Sequence, residues 1–282
     1  MHSSLALALH RLADCLTEGL RRELFLTPKP GLVDLLDSGA HPDLSLPLMM
    51  DSIGLVGQGY RTFAEVLAQG GSAADLVPIG RRYEALMFER FATNTHKGAI
   101  FLGGLLLCAL SGCAGRCEDL RPAVMAVAAQ MLPAHDTGET HGARLRLARK
   151  SGGILDEARR GLPALFEAAL PAIAATRTAG GNETREGLAA LAALMQHVED
   201  TTALHRCGPM GLERLRRDGA QLEWLLTQGV DPWPFLLAAN REYIAMRLTM
   251  GGVADLLAMA FGLSEFAPSL TFATLNVVPL HA

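Results

Sequence analysis

The chain has 282 residues, half of them apolar, which is enough for one large core or two modest ones and argues against disorder. With 25 basic and 29 acidic residues the formal net charge is −4, so there is no general attraction to nucleic acid or to an anionic membrane surface. Any anionic substrate must be held by local basic groups.

Leu5, Leu9, Leu12, Leu16 and Leu20 fall on one stripe at helical spacing and predict an opening amphipathic helix. No Lys or Arg precedes Arg11, so the start lacks the charged region of a secretory signal and a cytoplasmic protein is expected. Similar periods predict helices from Pro47 to Leu67, Ala99 to Leu110, Leu120 to Met131 and Ile154 to Leu170. Others run from Thr184 to Val198, Leu212 to Leu226, Phe235 to Leu248 and Val253 to Leu263. The stretch from Ala99 to Leu110 is the longest apolar run and falls well short of the roughly 20 residues of a membrane span.

Breaks are expected at Gly70-Gly71, Pro133 to Gly142, Gly180-Gly181-Asn182, Cys207 to Gly211 and Asp231-Pro232, none of them long or biased enough for a domain linker. No run alternates like a strand, and aromatics are only 5% while Ala and Leu abound. The expected fold is all-α, a single compact multi-helix domain over residues 1–282. Five scattered cysteines fit reduced thiols, and Cys113 with Cys117 has metal-like spacing but no second ligand pair at a zinc-site distance.

Polar residues gather in five places. In Thr27-Pro28-Lys29-Pro30-Gly31-Leu32-Val33-Asp34 a stiff path presents Lys29 for a phosphate and Asp34 for a metal or sugar, or else forms a turn with solvated charges. Asn94-Thr95-His96-Lys97-Gly98 stands before the helix at Ala99, where backbone N–H groups and Lys97 suit a polyphosphate; Asn94 or Thr95 could equally be just an N-cap. Thr140-His141-Gly142 offers His141 ahead of Arg144, Arg146, Arg149 and Lys150, whose spacing also fits a solvated helix face. Glu199-Asp200 with His205-Arg206 puts carboxylates and a guanidinium at a helix junction, as a structural ion pair also would. Gly251-Gly252 opens a helix with Asp255 in its first turn, a place the helix dipole favours for Asp in any case.

Taken in order, these segments resemble the triphosphoribosyl-dephospho-CoA synthases that serve citrate lyase and malonate decarboxylase. The matching stretches are Glu23 to Asp34 with Gly39-Ala40-His41, Ile79-Gly80, Glu84, Met87-Phe88, Asn94 to Phe101 and Thr140-His141-Gly142. They continue through Glu157-Ala158, Gly161-Leu162-Pro163, Asp200-Thr201, Arg206, Gly208, Gly251-Gly252 and Ala254 to Ala258. The resemblance implies an all-helical cytoplasmic transferase that joins the triphosphoribosyl part of ATP to the 2′-hydroxyl of dephospho-CoA, releases adenine, and hands its product to a separate carrier-protein transferase. It also implies catalytic roles for Asp34, His96, His141 and Asp255, and substrate or phosphate binding by Lys29, Gly31, Asn94, Lys97, Arg206, Gly251 and Gly252. Magnesium is expected on the triphosphate, with Glu84 and Asp34 as its carboxylates. A homodimer is left open.

The chain departs from that pattern twice. Phe88 to Thr93 replaces a Thr-Gly-Gly-Val lead into Asn94, and Thr249-Met250-Gly251-Gly252-Val253 replaces a Ser-Pro-Gly-Gly-Ser start. Two rivals follow from the residues. One is a helical metal-dependent phosphohydrolase built on His96, His135-Asp136 and Asp200. The other is a non-catalytic protein that binds ATP or a CoA derivative.

Overall fold

The computed structural model describes residues 2–132 and 152–268. The expected stripe makes α1 (His2–Phe25), with Leu9, Leu12, Leu16, Leu20 and Leu24 all buried. Each such leucine contributes roughly 1.5–3 kcal/mol by leaving water. Helix α1 lies along α2 (Leu46–Ala68) and along the last described helix, α11 (Gly251–Phe266). The approach to α11 depends on small residues. A Cβ on Gly19 would come 2.2 Å from the Ala258 carbonyl oxygen, and one on Gly262 would come 2.8 Å from the Leu16 Cα.

Helix α3 (Ala73–Phe91) was not expected from the periodicity, because only Ala73, Leu76 and Met87 of it are buried and Pro78 interrupts it. Its start was marked nonetheless: the Asp75 carboxylate accepts from the Ser72 N–H and hydroxyl, the Ser-x-x-Asp pattern of a helix N-terminus. The apolar run becomes α4 (Lys97–Gly112), buried from Ala99 to Leu110 between α2, α3, α11 and α5 (Leu120–Met131). Among the described residues no helix is long and apolar enough to cross a membrane.

The single helix expected from Ile154 to Leu170 is three pieces: α6 (Gly153–Arg159), a π-helical turn over Ala164–Ala169, and α7 (Leu170–Thr178). Gly161 and Leu162 have φ of +75° and +54°, and the Leu162 N–H reaches back to the Glu157 carbonyl in a Schellman-type stop. Helix α8 (Glu183–His197) starts at Asn182, whose side chain accepts the Arg185 N–H. Helix α9 spans Thr201–Thr227 and is kinked at Gly208 (φ 65°, ψ −162°), so the expected break at Cys207 to Gly211 is a bend inside a longer helix. Helix α10 (Trp233–Met246) follows Asp231, which accepts the Trp233 N–H. The described residues contain no strand, and all these helices share one continuous buried cluster.

Candidate functional site

The segment after α1 is braced from within. Lys29 has no exposure, and its ammonium sits 3.0 Å from the Glu23 carboxylate at the end of α1 while also donating to the Glu23 carbonyl. Asp34 spends both oxygens on the loop: Oδ2 accepts the Lys29 N–H at 2.8 Å, and Oδ1 accepts the Leu36 N–H at 2.7 Å. Gly31, at φ +73°, donates its N–H to Asn240 Oδ1 on α10, and a Cβ there would come 2.3 Å from the Leu248 carbonyl oxygen. The close approach at Gly31 is thus to the protein's own backbone.

The N-cap of α4 is His96, not Asn94 or Thr95; Asn94, two residues before the cap, accepts the Lys97 N–H at 3.0 Å through its side chain and so braces the turn that leads into the helix. Lys97 is partly exposed and pairs with Glu84 of α3 at 2.7 Å. His96 is 4% exposed; its Nδ1 lies 2.8 Å from Ser52 Oγ on α2, and its Nε2 has no hydrogen-bond partner among the described residues. Burial, and then the charge of Lys29, lower its pKa to about 4, so the ring is neutral near pH 7.

Three helix starts meet beside it. Asp200 caps α9, its Oδ1 accepting the N–H groups of Thr202 and Ala203, while its Oδ2 accepts the Val253 N–H of α11 at 3.0 Å. Asp255 of α11 reaches across to α4, where a Cβ on Gly98 would fall 1.9 Å from its Oδ2. One carboxylate therefore joins α9 to α11 and the other joins α11 to α4. Burial raises the pKa of Asp255 well above the carboxylate range, and Glu23 and Asp200 push it further. Glu23 and Asp200 are themselves raised by burial. Like charge on neighbouring carboxyls favours the protonated form of Asp255.

The rim carries His41 and Arg206. His41 Nε2 lies 2.7 Å from Thr249 Oγ1, and burial, then Arg206, bring its pKa down to about 4. Arg206 is exposed and donates to the Ala40 carbonyl at 2.8 Å. Gly251 and Gly252 open α11 against Thr202 and Asp200.

His96, Asp255, Lys29, Gly251, Gly252 and Arg206 are thus tied to one end of the bundle by their contacts and mutual fields, with Asp34 holding the loop beside them. His141 lies outside the described residues, as do His135-Asp136 and the Arg144 to Lys150 run. Glu23, Ser52 and Thr249 were not singled out by chemistry. Glu23 and Ser52 had a signal: each is a polar residue on the buried face of its helix, Glu23 three after Leu20 and Ser52 three after Met49. The donor set does not make a protein cage for a cation. Asp34 is committed to backbone N–H groups and Glu84 to Lys97, and among the described residues no three His, Cys, Asp or Glu side chains are grouped to hold a metal.

The chain matches the CitG family, ATP:dephospho-CoA triphosphoribosyl transferase, over residues 9–270. A protein of Stutzerimonas stutzeri (strain A1501), named probable 2-(5''-triphosphoribosyl)-3'-dephosphocoenzyme-A synthase, is 36% identical over 274 residues, covering 93% of each chain. Proteins of the same name from Pseudomonas savastanoi pv. phaseolicola and Pseudomonas aeruginosa (strain UCBPP-PA14) are 34% and 35% identical, covering 92% of each chain, and 88% of this chain with 87% of the other, respectively. No solved structure matches the chain significantly.

Proposed function

The chain belongs to the ATP:dephospho-CoA triphosphoribosyl transferase family, and we propose that it performs the family's reaction at the junction of the α4, α9 and α11 starts. The enzyme is a transferase that moves the triphosphoribosyl group of ATP onto dephospho-CoA to make a prosthetic-group precursor. In this proposal the acceptor is the 2′-hydroxyl of dephospho-CoA, adenine leaves, and the product goes on to a separate transferase that loads an acyl carrier protein.

Substitution at the anomeric carbon breaks a C–N bond and forms a C–O bond, so one proton must leave the hydroxyl and one must reach adenine. His96 takes the first at Nε2, the position left without a partner. Asp255 supplies the second, because burial and then the charges of Glu23 and Asp200 raise its pKa and so favour the protonated carboxyl, while the residue is partly exposed. Asp200, whose carboxylate form is held by three backbone N–H groups, adds negative potential that favours positive charge on the ribose, whereas Glu23 is offset by Lys29. Lys97 and Arg206 are the cations for the triphosphate, and the open backbone of Gly251 and Gly252 lets phosphate oxygens approach the start of α11. Magnesium would be carried chiefly by the triphosphate oxygens and water and would supply charge neutralisation there.

The observation that carries the proposal is the unpartnered, buried Nε2 of His96 at a helix start shared with Asp255. The test is incubation with ATP, dephospho-CoA and magnesium, followed by mass analysis. Free adenine and an equal amount of coupled product are expected. Release of ADP or phosphate without adenine would contradict the proposal.

A further inference from the structure

The partner on the other side of the His96 ring is a hydroxyl chain. Ser52 Oγ lies 2.8 Å from His96 Nδ1 and also contacts Thr95 Oγ1. Ser52 has no exposure, whereas Thr95 is partly exposed, so the chain leads from a buried imidazole towards solvent. Proton bookkeeping gives it a direction. Ser52 has one hydrogen; if it donates to Thr95 it must accept from Nδ1–H, which leaves Nε2 as a bare lone pair able to take a proton.

We propose that Ser52 and Thr95 relay a proton from His96 to solvent during transfer, a role that rests on the assignment of His96 as the acceptor of the hydroxyl proton. As the new C–O bond forms, Nε2 gains the hydroxyl proton and Nδ1 gives its own to Ser52 Oγ. Ser52 passes its hydrogen to Thr95 Oγ1, and Thr95 releases one to water. The ring ends neutral in its other tautomer; after product leaves, Nε2 gives the proton it took to water in the emptied site, and the chain run in reverse returns one from solvent to Nδ1. Such a relay suits this imidazole, since burial and Lys29 oppose a lasting positive charge on it. Ser52 and Thr95 touch no reacting atom and act through His96.

The test is single-turnover adenine release from the full chain in mixtures of light and heavy water. The parent is expected to give a curved dependence on deuterium fraction, reporting several protons in flight. Ser52→Ala and Thr95→Val are each expected to slow release by about tenfold or more, with a straight dependence, against the 10²–10⁴ typical of general acid–base catalysis as a whole. Thr95→Ser is expected to restore both the rate and the curvature. Thr95 is partly exposed, so its variants keep the test valid even if Ser52→Ala folds poorly. Parent-like rates in Ser52→Ala and Thr95→Val, alongside a slow His96→Gln, would overturn the relay alone. Equal slowing by Thr95→Val and Thr95→Ser would also overturn it, by showing a packing role. A parent-like His96→Gln would remove the assignment of His96 itself.

Discussion

Gly98→Ala separates folding from chemistry at the point where α4 meets Asp255. The added Cβ would stand 1.9 Å from Asp255 Oδ2 and 2.9 Å from its Cγ, where ordinary contact begins at 3.4 Å. The carboxyl must therefore retreat by roughly 1.5 Å, and a displacement of about 1 Å at a catalytic group can cost ~10²-fold. The barrier would rise by about 2.7 kcal/mol. Folding should suffer much less, because Ala is favoured over Gly inside a helix by roughly 1 kcal/mol, which offsets much of the crowding. The assay is adenine release under saturating ATP and dephospho-CoA, paired with urea denaturation of the same preparation. Gly54→Ala, at a helical glycine with nothing within 4 Å of the new Cβ, is the control and should retain parent activity. Parent-like turnover in folded Gly98→Ala would refute the claim that Asp255 acts from this position.

Asp200→Ala should be a stability variant first: it strips the acceptor from the Thr202, Ala203 and Val253 N–H groups at two helix starts, and a loss of about 2–4 kcal/mol by chemical denaturation is expected; a loss under ~0.5 kcal/mol would show that the bridge is unimportant. The pH dependence has a definite sign for the histidines. His41 and His96 have folded values of about 4 against an ordinary 6.5, so the stability they contribute is fully present above about pH 6.5 and is lost as pH falls towards 4. Asp255 works oppositely, its raised value giving stability at low pH that is lost as pH rises. Urea midpoints between pH 7 and 4.5 should therefore fall less steeply in His41→Gln than in the parent, and an identical slope would contradict the assignment.

Much of the helical frame was legible because burial repeats at helical spacing. The leucine stripe of α1 and the run from Ala99 to Leu110 are buried as their pattern requires. Helix α3 was hidden because its few buried positions leave no stripe, and the stop at Gly161-Leu162 was hidden because a Schellman turn inside an apolar stretch leaves the periodicity nearly intact. Within the site, local features were readable and long-range ones were not. The Asn94 to Gly98 segment announces a helix start from adjacent residues. Asp200 and Val253 are far apart in the chain, and nothing in either neighbourhood signals that one carboxylate caps two helices. Lys29 allowed two readings until the fold brought its ammonium onto Glu23, whose place on the α1 stripe marks a carboxylate that needs a buried partner.

In the proposed reaction Asp255 gives its proton to adenine, and Asp255→Asn tests this most directly because it keeps the shape while removing the acid. The measurement is adenine release in a single turnover, with ATP binding by calorimetry on the same protein. ATP affinity within about threefold of the parent and release slowed by ~10²-fold or more are expected. Release at the parent rate by folded, ATP-bound Asp255→Asn would contradict that role.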